Sequence, residues 1–468
     1  MNDVQQLIGA TWSAGNSGRS LTVYDPHSGD PVTTVAVSSD KDVAAAVRTA
    51  REAASGWART APGARAAALH AAAAAVQEAA DELAELMTAE MGKPTPDAKD
   101  SIGAGIGTLR QYAELGPTHR GRALAGNDEA IDLMAFGPRG VVAVITPWND
   151  PVAVSCGLLG AALVTGNTVV HKPSERTPAV GWRLAQILAP HFPAGVVTLV
   201  NGDGPVGAAL ASSDVDVVAH VGSTVTGRSI AAACAVSGAK ALLENGGSDP
   251  LIVDADVDPV WAAQQAAAGS FANSGQICVA VERIYVHRDI APAFLSALAG
   301  SAREWASSIG PLVDTRLREG VHAQVKAAVS AGATVLTGGE IPEGPGAYYP
   351  PTVLAGCTDD MAVMRDETFG PVAPVVTVDS FEDALKKAAD SPYGLAATVL
   401  TGSMSHAQRA WRELPAGTVK VNAVFGGAPG GAAHPRRSSG QGFGYGPELL
   451  DEMTATKAVH IEAPPSGW

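Results

Sequence analysis

Cys278 closes the stretch Phe271-Ala272-Asn273-Ser274-Gly275-Gln276-Ile277-Cys278, just beyond an alanine-rich segment, Pro259 to Ser270, that reads as a helix. A thiol does chemistry only as thiolate, which needs partial exposure and stabilising dipoles such as backbone N–H groups. A lone cysteine is most often a small apolar filler, but neither Gly275 nor Gln276 belongs in a packed strand. Glu244 is the second candidate. It emerges from the apolar strand Ala241 to Leu243 onto Asn245-Gly246-Gly247, and burial there would raise its pKa toward the range of a general base. Glu367-Thr368-Phe369-Gly370-Pro371 adds an acid and a ring, suited to grip a ribose and wall off a flat heterocycle.

These residues need a scaffold, and the chain supplies an alternating one. Short strands at Val4 to Ser13, Ser20 to Tyr24 and Pro31 to Val37 precede a long alanine-rich helix capped by Ser39-Asp40. Further helices are expected from Pro62 to Met91 and from Pro96 to Glu114. Strands follow at Ile131 to Phe136 and Gly140 to Ile145, the second ending in Pro147-Trp148-Asn149-Asp150-Pro151. After a helix to Val164, a buried strand ends in His171-Lys172-Pro173-Ser174-Glu175. Helix, strand, helix and the strand Val215 to Val221 lead to Gly222-Ser223-Thr224. A second α/β unit runs from about Leu251 to Val421, and a terminal strand covers Ala458 to Glu462. Alternation of this kind means a parallel sheet with helices on both faces, whose ligand sits beyond the carboxyl ends of the strands. Asn149, Lys172 to Glu175 and Gly222 to Thr224 all fall at such ends.

Two of these ends suit a dinucleotide. Gly222 permits close backbone approach, and the hydroxyls and free N–H groups of Ser223 and its neighbours suit a phosphate. Lys172 and Glu175 share one strand end, where a carboxylate accepts from ribose hydroxyls and repels a 2′-phosphate, favouring NAD over NADP. Gly202-Asp203-Gly204-Pro205-Val206-Gly207 also spells GxGxxG. It reads first as a tight turn, because the next strand ends at His220-Val221 without the ribose-binding acid and Pro205 lacks an N–H.

Composition narrows the class. With 468 residues, two or three domains are expected. A net charge of −15 argues against a nucleic-acid or anionic-membrane surface. The start, Met1 to Ala14, lacks the pattern of a signal peptide, and no apolar run reaches membrane-spanning length. Four cysteines without a CxxC pair fit a reducing cytoplasm and no metal site.

Together the motifs resemble the aldehyde dehydrogenase superfamily over essentially the whole chain. They stand in family order: Pro147-Trp148-Asn149, Lys172-Pro173-Ser174-Glu175, Gly222-Ser223-Thr224, Glu244 with Gly246-Gly247, Gly275-Gln276-Ile277-Cys278, Glu367-Thr368-Phe369-Gly370-Pro371, Asn422, and Ser439-Gly440-Gln441-Gly442. The resemblance implies an α/β fold: a parallel-sheet cofactor domain (1–119 and 139–245), an α/β catalytic domain (246–443) and a small β oligomerisation element (120–138 and 444–468). It implies Cys278 as nucleophile, Asn149 in the oxyanion hole with the Cys278 N–H, and Glu244 as the base that activates water against a thioester. Trp148, Lys172, Ser174, Glu175, Gly222, Ser223, Glu367 and Phe369 would bind NAD, with NADP as the alternative. The partners implied are a small-molecule aldehyde and a second copy of the chain, in a homodimer or homotetramer.

The substrate pocket departs from the family pattern. Where many relatives carry aromatics this chain has Asp150, Gly157, Ala272, Gly427 and Ala433, with Ile277 and Val279 flanking the cysteine. Small residues there widen the tunnel unless other loops fill it, so a bulky or extended aldehyde is expected. Leu158 replaces a lysine that some relatives use as a proton relay, and Ala432-Ala433-His434-Pro435-Arg436-Arg437 departs from the usual Pro-Phe-Gly-Gly. Two alternatives remain: a CoA-acylating relative, against which Glu244 argues, and a non-catalytic binding or structural descendant, which should have lost Cys278, Glu244 or Asn149.

Overall fold

The computed structural model describes residues 2–427, 431 and 434–464. Ser39 caps the first long helix, Asp40–Arg59, through its side chain, and Asp42 answers it from the third helical position. The helix expected from Pro62 to Met91 is two: Pro62–Glu78 and Ala80–Met91 meet at Ala79, whose ψ of 10° lies outside the helical range. The bend lets Leu69 and Val76 from one segment and Leu83, Met87 and Met91 from the other enter one core.

The first sheet has eight strands, and its centre is parallel. Val141–Ile145 pairs with Thr168–Lys172 on one side and Val217–Val221 on the other; Lys240–Glu244 lies beyond the latter. Val141–Ile145, Thr168–Lys172 and Val217–Val221 are buried at every residue, as strands with both faces covered must be. The chain builds outward from Val141–Ile145 in one direction, then returns to build in the other. The reversal leaves a crevice between Val141–Ile145 and Val217–Val221, where the helices that follow diverge to opposite faces.

The second sheet has seven strands in the order Thr334–Thr337, Thr352–Ala355, Val372–Val378, Val281–His287, Asp249–Val253, Ala396–Leu400, Thr418–Val421. All its pairings are parallel except that of the first two. Only four residues, Asn245 to Ser248, join the carboxyl end of Lys240–Glu244 to the amino end of Asp249–Val253. Carboxyl ends of the first sheet therefore meet amino ends of the second, and the functional residues gather between them. Gly440–Gln441, within the stretch expected to belong with residues 246–443, pairs antiparallel with Leu243 and Glu244 in the first sheet.

Thr454–Glu462 pairs with Ala130–Pro138 along its full length, and Arg122–Leu124 completes a three-stranded sheet. The terminal strand thus begins four residues before the expected Ala458. Ile131 and Ile461 of this sheet are exposed, at 59% and 53%. Among the described residues, no helix is long and apolar enough to cross a membrane.

Candidate active site

The helix Pro259–Phe271 is started by Asp258, whose side chain accepts from Trp261 N–H, and by Pro259 in its first turn. Beyond it, Asn273, Ser274 and Gly275 take positive φ of 48°, 57° and 73° in succession. Asparagine and glycine tolerate that region; serine costs on the order of 1 kcal/mol there. Side chains hold the turn in place. Ser274 Oγ donates to Gly310 O at 2.7 Å, Gln276 Nε2 to Asn273 O at 3.0 Å, and Val313 N–H to Gln276 Oε1 at 2.9 Å. A Cβ on Gly275 would lie 2.1 Å from Gly370 O, so only glycine fits. This turn presents Cys278, half-buried, to the space between the sheets.

The three candidate catalytic residues come together there. Cys278 Sγ donates to Glu244 Oε1 at 3.5 Å, and Asn149 Nδ2 donates to Gln276 O at 3.0 Å, two residues before the sulfur. Asn273 Nδ2 braces both partners, donating to Gln276 O at 3.0 Å and to Asn149 O at 3.4 Å. Burial pushes the Glu244 carboxyl above its ordinary value, partly offset by the thiol's hydrogen bond. Burial and then the Glu244 carboxylate push the Cys278 thiol well up. Burial thus makes Glu244 a better proton acceptor than a free carboxylate and holds the thiol in its protonated form. Such a pair can pass the thiol proton to the acid as the sulfur attacks an electrophile.

Glu367 and Phe369 close one end of the space. Gly247 N–H donates to Glu367 Oε1 at 3.0 Å, and a Cβ on Gly246 would lie 2.2 Å from Glu367 Oε2. Phe369 has a φ of 52°, held by Glu282, which accepts from Thr368 N–H at 2.9 Å and Phe369 N–H at 2.7 Å. The Phe369 ring meets Trp148 edge-on with centroids 5.6 Å apart, and Arg176 lies 5.2 Å over Trp148. Burial raises Glu367 to about 7 and Asp249 to about 8, and carries Glu282 well above the carboxylate range, with the Glu367 charge adding to it.

The other end fits a dinucleotide. Lys172 is buried, donates to Pro173 O at 2.9 Å and lies 3.9 Å from the half-exposed Glu175 carboxylate. Ser174 is buried and accepts from Arg176 N–H at 3.3 Å. Ser223 is exposed at the start of the helix Thr224–Ser237 and accepts from Thr226 N–H. A Cβ on Gly222 would lie 2.6 Å from the His220 ring, so only glycine fits beside that ring without moving it. At Gly202-Asp203-Gly204, Asp203 is engaged instead by Arg19 Nη2 at 2.6 Å.

Of the expected pocket residues, Asp150 is half-buried, accepts from Ser101 Oγ and lies 3.7 Å from the buried Lys93 ammonium. Ile277 and Val279 are half-buried beside the sulfur. Gly157 is not the opening it was expected to be, because the ring of Tyr445 occupies the position of its missing Cβ, with Cε1 2.7 Å away. Gly427 is exposed, with no described residue within 4 Å of a Cβ there, and Ala433 lies outside the described residues. His434 packs its ring edge-on against Phe443, and Arg437 Nη1 donates to Ala389 O at 2.8 Å.

Sequence reading missed Glu282, Asp249, Lys420 and Tyr445. Glu282 and Asp249 carried one usable signal, each being an acid inside or at the edge of a buried strand. Lys420 donates to Val424 O at 2.7 Å and bears on Asp249 electrostatically; nothing in its local sequence marks it.

A cysteine paired with a carboxylate, between residues suited to the two ends of a nicotinamide dinucleotide, is the arrangement expected of an oxidoreductase. Residues 12–459 match the aldehyde dehydrogenase family, and the chain belongs to that family. It is 35% identical over 449 residues to succinate-semialdehyde dehydrogenase from Paenarthrobacter nicotinovorans, covering 92% of this chain and 99% of the relative. Its fold matches an NAD-dependent aldehyde dehydrogenase from Sinorhizobium meliloti with a TM-score of 0.95 at 32% identity, covering 100% of this chain and 96% of the other. An indole-3-acetaldehyde dehydrogenase with NAD+ bound matches equally, with a TM-score of 0.95 at 35% identity over 98% and 97% of the two chains.

Proposed function

We propose that the chain oxidises an extended aldehyde to its carboxylic acid with NAD as acceptor, through a thioester on Cys278. The carrying observation is the 3.5 Å contact between Cys278 Sγ and Glu244 Oε1, with the Asn149 amide against the same turn. As Sγ bonds to the carbonyl carbon, the thiol proton passes to Glu244. The carbonyl oxygen takes up negative charge, for which the second Asn149 amide hydrogen and the Cys278 N–H are the donors. Bound NAD supplies the hydride acceptor, leaving a thioester on the sulfur. Once the first proton has left Glu244 for solvent, its carboxylate takes a proton from water, whose oxygen bonds to the acyl carbon; the C–S bond breaks and that proton passes to the sulfur, releasing the acid and restoring the thiol.

Lys172, Ser174 and Glu175 hold the adenosine ribose; Gly222 and Ser223 receive the pyrophosphate. Glu367 binds the nicotinamide ribose, and Phe369 with Trp148 walls off the ring. The half-exposed Glu175 carboxylate beside the buried Lys172 favours NAD over its 2′-phosphorylated form. A bulky or extended rather than a compact aldehyde is supported by the small residues at the expected pocket positions Ala272 and Gly427. It is also supported by two relatives whose names specify succinate semialdehyde and indole-3-acetaldehyde. The exposed Ile131 and Ile461 on the three-stranded sheet support a homodimer or homotetramer, and four unpaired cysteines support a cytoplasmic site. An aldehyde panel followed by NADH absorbance with NAD and NADP, and with and without CoA, tests this reading. The expected result is the free acid, NAD preferred and no CoA requirement; an acyl-CoA product, or no turnover of any aldehyde, overturns it.

A further inference from the structure

The loop that returns through Gly440–Gln441 to pair with Glu244 continues to Tyr445, whose ring packs against the middle of the helix Pro151–Val164, at Gly157. Three ring atoms, Cε1, Cδ1 and Cζ, lie 2.7, 3.4 and 3.6 Å from where a side chain at Gly157 would begin. Glycine on the helix and tyrosine on the loop are therefore complementary: a methyl at 157 and this ring position exclude each other. The ring is not sealed into the core. Tyr445 is half-buried, and its hydroxyl makes no hydrogen bond to a described residue. Burial, and then the nearby Glu244 and Asp150 carboxylates and Cys278 thiol, hold the phenol well above its ordinary pKa, so it is a neutral donor and acceptor at working pH. The ring thus stands between the Gly157 face of the helix and the groups that bear on its phenol, Glu244, Asp150 and Cys278, with Asp150 itself held by Ser101 and Lys93.

We propose that Tyr445 is a specificity-determining residue: its ring closes the Gly157 side of the passage against branched aldehydes, and its hydroxyl hydrogen-bonds a hydroxyl group carried near the aldehyde carbon. This rests on the aldehyde-oxidising reading and narrows its substrate class to unbranched, hydroxyl-bearing aldehydes. The ring excludes bulk by occupying volume, while the free hydroxyl rewards a substrate that satisfies it; discrimination built on a buried polar group exceeds that from shape alone.

The test compares butanal with 2-, 3- and 4-hydroxybutanal, and with 2-methylbutanal, by kcat/KM in wild type, Tyr445→Phe, Tyr445→Ala and Gly157→Ala. Wild type should favour at least one hydroxybutanal over butanal by about fivefold or more, the ratio a single neutral hydrogen bond supplies. Tyr445→Phe should erase that ratio. Tyr445→Ala should raise 2-methylbutanal relative to butanal, since it reopens the space over Gly157. Gly157→Ala should lower the hydroxybutanal ratio by displacing the ring without altering the hydroxyl itself. Thermal midpoints and NAD affinity of each variant report whether it is folded. A ratio unchanged in folded Tyr445→Phe, or all aldehydes falling in equal proportion, overturns the proposal, the second result making Tyr445 a positioning residue for Glu244 and Cys278. A wild type that oxidises butanal without hydroxybutanal preference also overturns it, whereas a wild type that oxidises nothing overturns the underlying activity instead.

Discussion

Glu244→Gln isolates the proton transfers on which the mechanism turns. Glutamine keeps the volume of the side chain and an oxygen facing Cys278 Sγ, 3.5 Å away in the native pair, but that oxygen does not take a proton. Loss of a positioned general base costs about 10²–10⁴-fold in rate, equivalent to about 3–5 kcal/mol of barrier at ~1.36 kcal/mol per tenfold. The loss falls chiefly on release of the acid, because water is a poorer nucleophile than the sulfur and depends more on the base. Rapid mixing should therefore reveal one NADH per active site in a burst, followed by a steady state at least a hundredfold below wild type. The pH profile supplies the second readout. Burial raises the Glu244 carboxyl above its ordinary 4.5. The proton-accepting form is then present above that raised value and is lost as pH falls through it, so the acidic limb of wild-type kcat lies above 4.5. Glu244→Gln should remove that limb. A steady state within about threefold of wild type, or a retained acidic limb, would refute the assignment of Glu244 as base.

Asn149→Asp, isosteric but unable to donate from that side chain when ionised, should lower kcat about 10²–10³-fold, the usual effect of losing one oxyanion donor, with NAD affinity unchanged by fluorescence titration. Glu175→Ser should raise the NADP-to-NAD ratio of kcat/KM at least tenfold, and an unmoved ratio would disqualify Glu175 as the 2′-phosphate discriminator. Asp249 is raised from 3.8 to about 8, so the folded state keeps a proton that the unfolded chain loses, and stability declines as pH rises from about 4 toward 8. Asp249→Asn should remove this decline. Between pH 5.5 and 8 its stability relative to wild type, by denaturant unfolding, should grow by at most about 3 kcal/mol; a gain that shrinks with pH would contradict the buried, neutral acid.

What could be read before folding depended on how local each feature is. Val141 to Ile145 and Thr168 to Lys172 are apolar runs ended by polar clusters, and a parallel strand buried on both faces writes itself that way. Asn149, Lys172 and Ser223 were therefore placeable from the rule that ligands gather at carboxyl ends. Cys278, Glu367 and Phe369 obey no such rule, since they precede their strands and lie at amino ends of the second sheet. They became legible only through their motifs. The break at Ala79 was invisible because alanine carries no turn signal, while the positive φ of Ser274 and Phe369 arises from distant hydrogen bonds to Gly310 O and Glu282 rather than from either residue's own preference.

The space at Gly157 was what residue identity alone misjudged, and the reason is general. A small residue on a helix opens space only if nothing else reaches it, and what reaches Gly157 is a tyrosine 288 positions away in sequence. The glycine is legible as a vacancy; the ring that occupies it sits in a glycine-flanked loop, Gly444-Tyr445-Gly446, whose path is set by the pairing of Gly440 with Glu244. The strand that carries the Glu244 carboxylate therefore also anchors the loop that carries Tyr445. Substitutions at Gly440 should disturb both, because a Cβ there would lie 1.9 Å from Leu243 O and force the strand apart. In Gly440→Ala, selectivity among hydroxybutanals and the rate of acid release should fall together, whereas Tyr445→Phe alters selectivity in preference to release. If Gly440→Ala, still folded, changed neither, the loop and the carboxylate would not be coupled through this strand.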